Sequence, residues 1–174
     1  MKKKEKAMKP YISRQKIKLK VEIPPEQVDK NWRTSLFINI CQKFQGRCTR
    51  EDGYIISIKK ISRIFDQYIK RTSGVVLFYV EVLAECILPK KGDTIEAVVD
   101  MIFPHGVFCH HHTLRMMMPI AKCDNFHIRQ EFSTKSLFNP QTKKIIRKGD
   151  TINVLIDDVR FENDFYSCIV SISV

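Results

Sequence analysis

Lys91-Gly92-Asp93-Thr94-Ile95 returns almost unchanged as Lys148-Gly149-Asp150-Thr151-Ile152, and these two phrases decide how the second half of this 174-residue chain is read. In each, a Gly-Asp pair makes a turn, because glycine accepts φ > 0 and aspartate bonds its own backbone, and Thr-Ile then launches a strand. Around them the sequence predicts five short strands: Ile95 to Ile102, Gly106 to His111, Leu114 to Ile120, Thr151 to Val159 and Phe165 to Val174. Short strands separated by turn signals, almost without helical periodicity, predict an all-β barrel of the OB type over residues 89–174. The stretch from Lys122 to Lys148 is long for a loop in so small a barrel, and is read as a functional insertion or a segment carrying a short helix.

Upstream the pattern changes. Ile17, Leu19, Val21 and Ile23 alternate with Lys18, Lys20 and Glu22, the period of a half-buried strand, so the first strand is expected near residues 11–23. Pro24 and Pro25 end it and pre-set a helical turn. Val28, Trp32, Leu36, Ile40 and Phe44 then recur every fourth residue, predicting an amphipathic helix over about 26–44 with Gly46 as its C-terminal cap. Asp52-Gly53 between short apolar runs predicts a hairpin. Ile61, Ile64, Phe65, Tyr68 and Ile69 shift to helical spacing and predict a short helix. Val75 to Leu88 follows as a long strand with Val76, Phe78, Val80, Val82, Ala84 and Cys86 on one face. Residues 11–88 therefore read as an α+β domain, a small antiparallel sheet with one main helix, preceded by a basic tail at 1–10.

Composition sets limits on function. Apolar residues make up 44% and charged residues 28%, enough for packed cores. The longest apolar run, Val75 to Val80, is far short of the roughly 20 residues that cross a bilayer. Lysines at the start have no apolar stretch behind them, so no membrane association is expected and the protein is expected to stay inside the cell. The net charge is +11, and residues 1–20 hold nine Lys or Arg against Glu5 alone, so nearly all the excess is assigned to that segment.

The six cysteines are scattered, with no pair separated by only two residues, and read as free buried thiols. Cys109-His110-His111-His112 invites a metal assignment. Consecutive strand residues point to opposite faces, however, so at most two of the four converge, and no metal site is assigned. No nucleophile elbow, glycine-rich phosphate loop or paired-carboxylate motif is present. Catalytic residues and cofactors are therefore not assigned.

Gly46-Arg47-Cys48-Thr49, Asp52-Gly53-Tyr54-Ile55 and Gly74-Val75-Val76-Leu77-Phe78-Tyr79-Val80 with Ala84 closely resemble the tip domain of the stalk subunit of multisubunit RNA polymerases, the family of the seventh subunit of RNA polymerase II and its archaeal counterpart. Gly92-Asp93, Ala97-Val98-Val99, Gly106-Val107-Phe108 and the run from Gly149-Asp150 to Arg160 resemble the OB-fold domain fused behind it. The resemblance implies a non-catalytic subunit whose tip domain anchors on the RNA polymerase core. It also implies pairing with a helical fourth-subunit-type partner and contact between the barrel and nascent single-stranded RNA. The location implied is the nucleus, or a cytoplasmic viral factory or virion for a divergent virus-encoded member. A free-standing OB-fold RNA-binding factor is the competing reading.

Within that resemblance His105 and Phe108 match the aromatic contacts of the fold. Strand alternation puts His110 on the same face as Phe108, while Arg115 on the next strand, with Arg160 and Phe161 near the rim, are expected to supply charge and a further ring. On the long strand, Tyr79, Leu83 and Ile87 lie on the face opposite the core set and are expected to bind a partner.

Overall fold

Alternation builds the first strand, β1 (Ser13–Ile23): Ile17, Val21 and Ile23 are buried, while Arg14, Lys16, Lys18, Lys20 and Glu22 are exposed. The computed structural model describes residues 11–28, 30–131 and 134–173, mostly β with one α-helix among them. The prolines make a single 3-10 turn, Pro25–Gln27, and Val28 then leaves helical geometry at φ −97° and ψ 73°. Helix α1 therefore runs Trp32–Phe44, shorter at its start than the four-residue spacing suggests, and Val28 is exposed rather than part of the stripe. Gln45 closes the helix through its N–H to the Cys41 carbonyl, and Gly46 follows at φ +78°.

Strands β2 (Cys48–Thr49), β3 (Gly53–Ile69) and β4 (Val76–Ile87) complete a four-stranded antiparallel sheet in the order β1-β4-β3-β2. Gly53 is obligatory: at φ +77°, an added Cβ would lie 2.3 Å from the Ile87 carbonyl oxygen. Helix α1 covers one face, burying Leu36 and Ile40 against Ile17, Val21, Ile55, Ile58, Phe78, Val80, Val82 and Ala84. Burial of each such aliphatic side chain stabilises by roughly 1.5–3 kcal/mol. Trp32 stacks on Phe78, ring centroids 5.3 Å apart at 15°.

The helix expected at Ile61–Ile69 does not form; β3 continues through it. Register shifts fall between Ile55 and Ser57, Ile58 and Lys60, Ile61 and Arg63, and Ile64 and Asp66. Each inserts one extra residue. Ile55, Ile58, Ile61 and Ile64, three apart in β3, thereby meet Cys86, Ala84, Val82 and Val80, two apart in β4. A bulge every third residue converts the strand period of two into an apparent period of three, which is what reads as helix.

The second compact unit runs from Pro89 onward and includes Tyr11, whereas the first covers Ile12–Leu88. Strands β5 (Thr94–Phe103), β6 (Gly106–His111), β7 (Leu114–Pro119), β11 (Thr151–Glu162) and β12 (Phe165–Ile172) close a barrel in the order β11-β12-β7-β6-β5. The β12–β7 pair is parallel and the others antiparallel, a topology compatible with an OB barrel. The repeated Gly-Asp turns answer one another across β5 and β11. Gly92 N–H bonds Ile156 O while Ile156 N–H bonds Asp93 O, and Gly149 N–H bonds Val99 O while Val99 N–H bonds Asp150 O. Asn163 and Asp164, both with φ > 0, form the tight turn between β11 and β12.

Lys122–Lys148 carries no α-helix among its described residues. It holds a small antiparallel sheet, β8 (His127–Glu131), β9 (Thr134–Phe138) and β10 (Ile145–Ile146), whose Leu137 and Ile146 are buried. The basic tail lies outside the described residues.

Candidate nucleic-acid interface

The outer surface of the barrel at β6 and β7 is set by strand parity. Cys109 and Met116 point inward and are buried, so their neighbours Phe108, His110, Arg115 and Met117 point out. A register shift between Val99 and Met101 turns both Asp100 and Met101 toward that same surface. Two adjacent rows result. In the apolar row Met101 faces Phe108, Phe108 faces Met117, and Met117 faces Ile169. In the polar row His110 faces Arg115, Arg115 faces Ser167, and Ser167 faces Arg160.

Phe108 is 45% exposed and meets Phe103 edge-on at 5.5 Å, so it is a surface ring rather than a core residue. Arg115 lies 5.7 Å over the Phe165 ring. His110 Nδ1 is 2.7 Å from Asp100 Oδ1, which fixes the imidazole at the edge of the surface. An open groove of about 410 Å³ is lined by Asp100, Phe108, His110, His112, Arg115 and Phe165 among others. Three expected residues, Phe108, His110 and Arg115, thus converge. Arg160 shares their row and ends near Asp158 at 3.6 Å, and His105 sits exposed in the β5–β6 turn. Phe161 has the opposite parity from Arg160 and packs on the buried Tyr166 at 4.9 Å, away from the groove.

Phe165, 56% exposed, is the ring that sequence reasoning missed. Its signal was its parity with Ser167 just after the Asn163-Asp164 turn. Met101 was hidden by the bulge. Chemically, the rings and methionines offer stacking surface and the arginines offer phosphate contacts, an arrangement that reads no base edge.

The two histidines that follow His110 are placed differently. His111 is buried, with Nδ1 donating to Glu96 O at 2.7 Å and Nε2 accepting from Tyr11 N–H at 3.2 Å. Tyr11 hydroxyl bonds the Asp93 carboxylate, and burial first, then that carboxylate, hold its pKa above the usual phenol range. His112 occupies the β6–β7 turn at φ 54°. Among the described residues no group of three or more His, Cys, Asp or Glu side chains is placed to hold a metal ion. The cysteines are free thiols. Four are buried, and burial pushes Cys109 and Cys168 up to about 12 and Cys123 up to about 11.

In the first unit Tyr79 and Leu83 are half-buried and Ile87 is only 2% exposed. Between them stand Glu81 and Glu85, ion-paired to Lys16 at 3.1 Å and to Arg14 and Lys59 at 3.2 and 2.9 Å. The face expected to be apolar therefore also carries two anions, Glu81 and Glu85, matched by cations on β1 and β3. The charge also sits elsewhere than expected. Four of the nine cations in residues 1–20 belong to β1, and Ile12–Leu88 carries fourteen Lys and Arg against eight Asp and Glu, net +6; residues 89–174 carry eleven against ten, net +1.

A closed five-stranded barrel with outward rings beside arginines is compatible with small barrels of OB type. No family model matches the chain. It is similar to DNA-directed RNA polymerase II subunit RPB7 of Glycine max, 27% identical over 88 residues, 51% of this chain and 50% of the relative. It is also similar to DNA-directed RNA polymerase II subunit 7 of Arabidopsis thaliana, 26% identical over 88 residues with the same coverage. The chain spans about half the length of the curated relatives it matches. Both matches support the Rpb7-like stalk-subunit family for this chain.

Proposed function

We propose that the protein is a non-catalytic stalk subunit of a DNA-directed RNA polymerase. In it Ile12–Leu88 acts as the tip domain that anchors on the core enzyme, and the barrel that follows contacts nascent single-stranded RNA. The observation that carries this reading is the pairing of an apolar row at Phe108 with a cationic row at Arg115 and Arg160, in a chain similar to seventh subunits of RNA polymerase II. Bases stacking on Phe108 and Phe165 would each contribute about 1–3 kcal/mol, while the arginines meet phosphate without selecting sequence. His105 and His110 flank this track, and Phe161 supports the rim through Tyr166. A free-standing RNA-binding factor would use the same barrel surface. Similarity to polymerase subunits favours the stalk, and with it a nuclear location.

A helical fourth-subunit-type partner completes the proposal, with Leu83 the apolar position available to it on β4 and Tyr79 at the margin. Ile87, being buried, supports that strand from within. Co-expression with the small subunits of the polymerase it serves tests this directly. A stable heterodimer on size exclusion is expected; recovery of the chain only as a monomer, under conditions where those subunits are soluble, would contradict it.

A further inference from the structure

Two of the four residues in the apolar row of the barrel surface are methionines. Met101 and Met117 stand on either side of Phe108 in the register of β5, β6 and β7, and directly opposed residues on one sheet face hold their Cβ atoms roughly 5 Å apart. Both reach solvent, Met101 at 48% and Met117 at 36% exposure. Met116 and Met118 have the opposite parity, point into the barrel and are 1% and 0% exposed. The run Met116-Met117-Met118 therefore holds one open methionine between two closed ones. Met1 and Met8, the remaining two of the chain, lie outside the described residues.

A thioether reacts with a hydroperoxide without ionising, whereas a cysteine must first become a thiolate. The barrel's thiols are poor competitors: Cys109, Cys123 and Cys168 are buried, and burial pushes them up to about 12, 11 and 12. When a methionine sulfur attacks one oxygen of a hydroperoxide, an S–O bond forms and the O–O bond breaks; the sulfur is oxidised by two electrons, the peroxide takes them up, and water or an alcohol leaves. The product is a polar sulfoxide where an apolar side chain stood. A base stacking on Phe108 would draw water away from that oxygen, which opposes binding. Arg115 and Arg160 stand in the neighbouring row and keep their charge. Oxidation therefore acts on the stacking row and spares the cationic one.

We propose that Met101 and Met117 form a reversible oxidation site for hydroperoxides, and that their conversion to sulfoxides lowers the affinity of the barrel for single-stranded RNA. The inference rests on the barrel reading given above, and adds to it a chemical control placed on the ring at its centre.

The test treats the full chain with hydrogen peroxide, locates oxygen by fragment-ion mass mapping, and titrates a fluorescein-labelled mixed-sequence RNA of about 12 nucleotides, within the usual site size of single-strand binders, by anisotropy across a salt series. Met101 and Met117 should be oxidised before Met116 and Met118. The oxidised chain should bind RNA about 5- to 30-fold more weakly at unchanged salt slope, and methionine sulfoxide reductases of both epimer types should restore the affinity. The M101L/M117L variant, referred to its own affinity before treatment, should lose nothing on oxidation, which separates these two sulfurs from Met1, Met8 and the cysteines. Parent affinity in a chain carrying both sulfoxides would overturn the inference while leaving the barrel reading in place, and an untreated parent that binds no RNA at any salt would overturn both. A loss of affinity that persists in M101L/M117L, that comes with a lowered salt slope, or that accompanies loss of the circular-dichroism melt would also overturn it, since each places the damage elsewhere. Should M101L/M117L itself fail to fold, the single variants M101L and M117L decide: each should retain part of the loss on oxidation, and an undiminished loss in both would refute the proposal.

Discussion

The barrel surface at β6 and β7 and the outer face of the first unit's sheet both mix rings with cations, but in different proportions. The barrel surface is an apolar row with arginines beside it, built from residues 89–174 of net charge +1; the sheet face opposite α1 is cationic with rings lying under the cations, built from residues 12–88 of net charge +6. Binding of a single strand to the first should depend mainly on stacking, with the arginines adding counterion release. The comparison shows that net charge summed along a sequence does not locate binding chemistry. Strand parity does, because it decides which half of each strand reaches solvent.

The largest effect expected separates a core ring from a surface ring. Phe78 is 2% exposed and stacked on Trp32, so Phe78→Ala should cost roughly 3–5 kcal/mol in chemical denaturation of the first unit. Phe108→Ala, at an exposed site, should leave the barrel transition nearly in place. Comparable losses in both would return Phe108 to the core. Next in size is RNA affinity: Phe108→Ala and Phe165→Ala should each weaken binding by about 1–3 kcal/mol, measured by titration with single-stranded RNA. If neither matters, the barrel surface does not stack bases.

A smaller effect sharpens the contrast between charge and stacking. Arg115→Gln or Arg160→Gln should each lower the salt slope by about 0.7 while changing affinity modestly; an unaltered slope would remove that arginine from the phosphate track. Smaller still is an acid effect on the first unit's sheet. The Lys59 ammonium, followed by Ser57 and Arg14, holds the Glu85 carboxyl below its usual range. The stability this gives is present above the unfolded carboxylate pKa and is lost as pH falls through the folded one. Glu85→Gln should therefore flatten the acid limb of the first unit's melting profile, and an unchanged limb would show that this cluster contributes nothing.

Much of the barrel was legible in the sequence because its strands obey a period of two between unmistakable turns. Gly92-Asp93 and Gly149-Asp150 announce β5 and β11, and the alternation in Val107–Arg115 already places Phe108, His110 and Arg115 outward. What misled was irregular backbone. The repeated bulges of β3 spaced Ile55, Ile58, Ile61 and Ile64 like a helix, and the single bulge of β5 concealed Met101 and Asp100. The charge of β1 was credited to a tail because a count along the chain ignores that Arg14, Lys16, Lys18 and Lys20 share one face of a strand. Phe165 escaped because its groove is assembled from β6, β7 and β12, and β12 reaches β7 only through a parallel pairing between strands far apart in sequence.

The most direct test of the account is purification of the tagged full-length chain from its own cells, with crosslinking of nascent RNA during transcription and identification of both the proteins that co-elute and the peptide that carries the RNA. The account predicts the large subunits of a DNA-directed RNA polymerase, and an RNA adduct on the peptide containing Phe108. Elution without polymerase subunits, or a transcribing complex whose RNA never crosslinks to this chain, would contradict it.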